Sequence, residues 1–173
     1  MKIKDLVIEL QEKDSFKKFK TENPDSYFMA GFIILNIEEN SETIQLDYFI
    51  PSNKKIAAFE FPFNEPKIHD EIISVGKSGV TEGKKIPNIP EQILDIKIDI
   101  DDLKSICKKT ILENDSRLVP TKIISILKEN IWNLTCMDNV MGIVSVKINA
   151  VTGEVVNFNK GSLMDFMGIK KKP

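Results

Sequence analysis

Two stretches of the chain, Ile44–Phe49 (Ile-Gln-Leu-Asp-Tyr-Phe) and Trp132–Met137 (Trp-Asn-Leu-Thr-Cys-Met), share one alternation of apolar and polar side chains, and each precedes a second matching run. The following pair is Ile56–Phe61 and Ile143–Ile148, giving offsets of 88 residues (132 minus 44) and 87 (143 minus 56). A turn absorbs a one-residue slip. Self-similarity of this kind reads as a duplicated module and constrains architecture before any single motif does. It names no substrate.

A chain of 173 residues can be one domain or two small modules, and the repeat favours two. With 42% hydrophobic and 29% charged residues, the composition is that of a globular protein rather than a disordered one. The 24 basic and 26 acidic residues interleave, so no basic field is expected to recruit nucleic acid. Asp5 and Glu9 interrupt the first apolar run before an export segment can form, and no run approaches the roughly 18 apolar residues that span a bilayer. A cytoplasmic protein without a membrane span is expected. Cys107 and Cys136, the only cysteines, read as inward-facing free thiols.

Ile3, Leu6, Val7 and Leu10 fall at helical spacing, and Phe16 with Phe19 resumes the stripe after Asp14-Ser15. Asn23-Pro24 ends it, since the residue before proline avoids the helical region. Strands are predicted over 27–37, 43–50 and 55–62. In the second of these, Ile44, Leu46 and Tyr48 share one face while Gln45 and Asp47 look to the other. Residues 63–95 carry clustered proline and glycine and read as a linker with a short helix near 68–75. Beyond it, Asp99 can cap a helix with the stripe Ile100, Leu103, Ile106, Cys107 and Ile111, and Asp101 and Asp102 fall in its first turn. Further strands are predicted over 122–127, 131–137, 141–149 and 154–158. Gly161-Ser162 would then open a C-terminal helix bearing Leu163, Met164, Phe166, Met167 and Ile169, which packs on the second module. The expected fold is α+β. Two modules, residues 1–62 and 96–173, would each pack a helix on an antiparallel sheet of three to four strands.

Ile98-Asp-Ile-Asp-Asp-Leu at the helix start, Ile131-Trp-Asn-Leu on the middle strand, and Val146-Lys-Ile-Asn-Ala-Val-Thr-Gly-Glu-Val-Val at the last hairpin resemble PepSY-type domains of the cystatin-like class. Asn149 stands where the family pattern has aspartate. The resemblance covers about 60 residues of the second module; the first shares the outline by internal repetition. It implies tandem, non-enzymatic modules that bind or restrain peptidases.

No catalytic constellation is evident. His69 is the lone histidine, in the linker, which leaves a triad or a zinc site without partners. Val75-Gly-Lys-Ser-Gly79 lacks the first glycine of a phosphate loop, with Glu71 in that place. Asp99, Asp101 and Asp102 lack the glycine and closing glutamate of a calcium loop and read as capping residues. Trp132 reads as a core anchor. No metal or cofactor is expected. The leading expectation is a protein- or peptide-binding module engaging its partner through the open sheet face, with Gln45, Asp47, Asn133, Thr135 and Lys147 as candidates. A self-associating scaffold is the alternative, with monomer and homodimer both left open. Third comes an enzyme on a cystatin-like cone, whose pocket would draw on Tyr27, Tyr48, Asp47 and Glu60.

Overall fold

In a computed structural model that describes residues 1–70, 88–114 and 116–162, the apolar stripe of the first segment forms helix α1, Ile3–Glu12, and buries Ile3, Leu6, Val7 and Leu10. Helix α2, Asp14–Glu22, follows after Lys13 and buries Phe16 and Phe19. Asn23 closes α2 by donating its backbone N–H and its side-chain Nδ2 to the Phe19 carbonyl. Strands β1 (Tyr27–Asn36), β2 (Ser41–Ile50), β3 (Lys55–Glu60) and β4 (Lys67–Asp70) come next. A 3-10 turn at Ile100–Asp102 leads into α3, Leu103–Glu113. The chain then runs through β5 (Lys122–Lys128), β6 (Ile131–Met137), β7 (Gly142–Asn149) and β8 (Val155–Ser162).

All eight strands join one antiparallel sheet in the order β4-β3-β2-β1-β5-β6-β7-β8. This overturns the expected pair of PepSY-like modules in tandem. The first strands of the two halves, β1 and β5, pair directly, from Ala30 opposite Lys128 to Asn36 opposite Lys122. The physical reason lies in their composition: β1 carries the apolar run Phe28–Leu35 and β5 carries Ile123, Ile124, Ile126 and Leu127. Left as free edges, such strands would invite pairing with other chains. Joining them hides both edges and merges two small cores into one.

That core lies on a single face of the sheet, where α1, α2 and α3 cover Ile33, Leu35, Ile44, Leu46, Phe59, Ile123, Leu127, Leu134 and Val146. Phe16, Phe19, Phe28, Tyr48 and Phe59 form an aromatic cluster under α2, with the Phe16 and Tyr48 rings edge to face at 5.0 Å. Trp132 is fully buried on β6, and its Nε1 donates to the Ile98 carbonyl at 2.8 Å. Gly153 has φ of +81° in the β7–β8 hairpin, and a Cβ there would meet Ile98 at 3.3 Å, so the turn wants glycine.

Three local expectations change. Residues 67–70 of the linker are the edge strand β4 rather than the start of a helix; the phosphate-loop candidate at 75–79, with Glu71, lies outside the described residues. Gly161 and Ser162 end β8 instead of opening a helix, and the apolar residues from Leu163 onward lie outside the description. Cys107 and Cys136 are fully buried as expected but joined as a disulfide between α3 and β6, not free.

Candidate functional site

The face of the sheet opposite the helices is built by the second set of alternating residues. Across one row of neighbouring strands it presents Glu60, Gln45, Phe32, Ile126, Asn133 and Lys147, each the cross-strand partner of the next. The adjoining row presents Thr43, Ile34, Ile124, Thr135 and Ser145. A third presents Lys67, Ala58, Asp47, Ala30, Lys128 and Ile131.

All five candidates from the sequence therefore share this face, in two groups. Gln45 and Asp47 lie on β2, where Gln45 Nε2 donates to Asp47 Oδ1 at 2.8 Å. Asn133 stands opposite Lys147, with Thr135 two residues along β6. Between the groups sits an apolar centre that sequence reasoning missed: Phe32, Ile34, Ile124 and Ile126 on the adjacent strands β1 and β5. Ile126 is 38% exposed, and the other three are half-buried. Its signal was available, because β1 and β5 are apolar at consecutive rather than alternate positions, the pattern of strands covered on both sides.

One end of the face is closed. Met29, Ala30, Phe49 and Ile56 form a small second cluster with Tyr27 and Ile89, and the Tyr27 hydroxyl donates to the Ile89 carbonyl. A bulge places Met29 as the extra residue between Phe28 and Ala30 of β1. Gln92 anchors the same segment through its backbone N–H to the Phe28 carbonyl at 2.9 Å and its side chain to Asn130. No described element covers Phe32, Ile34, Ile124 and Ile126.

Electrostatics divide the face. Burial pushes the Asp47 carboxyl above its ordinary range, against the smaller opposing pull of the Gln45 hydrogen bond and the His69 charge. Glu60 pairs with Lys67 through Oε1 at 2.8 Å. Lys122, Lys128 and Lys147 on the other half have no ion pair among the described residues. Counting charged side chains of the three rows and Lys122, the β2–β4 half carries Asp47, Glu60 and Lys67, net −1, against +3 from the three lysines of β5–β7.

The four groups considered for a catalytic cone do not converge. Tyr27 and Tyr48 line a cleft of about 630 Å³ between the helices and the segment at 91–94, together with Phe16, Phe28, Lys20 and Glu91. Asp47 and Glu60 lie on the opposite face of the sheet. Burial, then the negative charge of Glu91, holds both phenols above their usual range. That direction disfavours phenolate formation at neutral pH, and Lys20 and Ser26, which also line the cleft, spend their polar atoms on each other and on backbone carbonyls. His69 is exposed on β4, opposite Ile56. Asp99 and Asp102 are a capping box: Asp99 accepts the Ile100 amide at 2.8 Å and Asp102 accepts the Asp99 amide at 2.9 Å. Asp101 contacts the ammonium of Met1.

No protein-family model matches the chain, and no curated protein matches it. One solved structure that it is similar to is a candidate lipoprotein from Clostridium difficile 630, at 11% identity and a TM-score of 0.48, covering 86% of this chain and 91% of that one. No helix among the described residues is long and apolar enough to cross a membrane.

Proposed function

We propose that this chain is a non-catalytic protein-binding module whose docking surface is the sheet face opposite the helices. The observation that carries the reading is the apolar centre of Phe32, Ile34, Ile124 and Ile126, contiguous across β1 and β5 and framed by polar residues on both sides. Contiguous exposed apolar patches with polar rims mark interaction surfaces in folded proteins. The rim is supplied by Gln45 and Asp47 on one side and by Asn133, Thr135 and Lys147 on the other. A flat sheet face suits a protein surface or an extended peptide better than a small molecule, which needs concavity.

Pull-down from native lysate with the wild-type chain and with a Phe32→Asp/Ile126→Asp variant tests the reading. A protein recovered by the first and lost from the second is expected, with matching far-UV circular dichroism for the two baits. Equal recovery by both, or none by either, removes the face as a docking surface.

A further inference from the structure

We propose that the occupant of the open face is a second copy of this chain, docked face to face about a twofold axis that runs along the strands between β1 and β5. The inference rests on the docking reading and adds the partner to it.

Such an axis sets each strand over the one equally far from the centre on the other side: β1 over β5, β2 over β6 and β3 over β7. The contact is isologous, so every pairing occurs twice. The row Glu60, Gln45, Phe32, Ile126, Asn133, Lys147 then meets its own reverse. Glu60 falls over Lys147, Gln45 over Asn133, and Phe32 over Ile126. In the adjoining row Thr43 falls over Thr135 and Ile34 over Ile124. In these two rows acid meets base, amide meets amide, hydroxyl meets hydroxyl, and the centre is apolar.

The charges also select the axis. A twofold axis running across the strands would superpose the lysine-bearing half on itself, bringing like charges together at a cost of several kcal/mol. Lys147 has no ion pair among the described residues, and Glu60 has given only Oε1 to Lys67. The third row carries two mismatches, with Asp47 over Ile131 and Lys128 over Ala30.

Six strands about 4.8 Å apart and the two open rows about 6.8 Å apart span about 400 Å² per partner. The total of about 800 Å² is that of a weak, transient contact. A concentration-dependent equilibrium between monomer and dimer is therefore expected rather than an obligate dimer.

Sedimentation velocity of the full chain from low micromolar to submillimolar concentration tests the proposal. The wild type is expected to shift toward dimer mass with concentration. Lys147→Glu sets two carboxylates together at both symmetry-related sites and should weaken association about tenfold or more. The double variant Glu60→Lys/Lys147→Glu restores both pairings and should regain most of it, an outcome that loss of folding could not produce. A wild type that stays monomeric throughout, or a double variant no better than Lys147→Glu, overturns the second copy as partner. Hydroxyl-radical labelling of the monomer separates this failure from that of the docking reading. Reactive Phe32 and Ile126 would leave the face open to a different protein, whereas protected ones would mean that the chain covers its own face and both readings fall.

Discussion

Asp99 accepts the backbone amide of Ile3 at 2.8 Å across 96 residues of sequence. Ile3 is the first residue of α1, so its N–H has no partner within the helix. The same Oδ1 accepts the Ile100 amide, and one carboxylate thereby serves the starts of two helical segments. Both donors are positive helix ends, where an anion is favoured. Asp99→Ala should cost about 2 kcal/mol in urea denaturation, because it strands two amides and releases α1 from the second half of the chain. Asp99→Asn keeps the acceptor oxygen and should lose less.

Trp132 gives the second expectation. It is fully buried and spends its only polar atom on the Ile98 carbonyl, in the segment that leads into α3. Trp132→Phe leaves that carbonyl unpaired and a gap beside it, with an expected loss of about 2 kcal/mol. As the lone tryptophan, Trp132 also reports the transition directly: its emission should shift to longer wavelength on unfolding.

Local structure was legible in the sequence where one residue settles it. The stripe Ile3, Leu6, Val7, Leu10 gave α1, Asp99 gave the cap, and the alternation in β2, β6 and β7 correctly assigned the buried face. How the halves meet was not legible, because strand pairing depends on edges and not on any one segment. The consecutive apolar residues of β1 and β5 held the clue: strands that are apolar on both sides belong at the centre of a sheet, which two separate modules could not provide. For the same reason the five polar candidates fall on the rim of the open face, while Phe32, Ile34, Ile124 and Ile126, its centre, were not singled out.

Tyr48 carries a buried hydroxyl with no hydrogen-bond partner among the described residues. Its ring is held by Phe16, Phe28 and Phe59, so packing rather than the polar atom fixes its place. An unpaired buried hydroxyl is a net cost, and Tyr48→Phe preserves the ring contacts. The variant should be more stable by about 1 kcal/mol in thermal or urea denaturation. A destabilised variant would mean that the hydroxyl has a partner.

Asp47 provides the pH dependence. Its carboxyl is raised above the ordinary value by burial, so between the unfolded pKa near 3.8 and the higher folded value the native state binds more protons than the unfolded state. Stability then falls as pH rises through that window, opposite in sign to a salt-bridged carboxylate. Ala58 and Ala30 stand directly opposite Asp47, with Lys67 and Lys128 one strand further out and His69 on β4; the charge of His69 pulls the pKa down by less than burial raises it. Asp47→Asn removes the ionisation while the amide oxygen can still accept from Gln45. The variant should therefore exceed the wild type in stability at neutral pH, with the advantage shrinking as pH falls and vanishing below the unfolded pKa. Urea denaturation of both proteins at several pH values measures the difference; a gap that stays constant with pH would show that the carboxylate is already fully solvated in the folded chain.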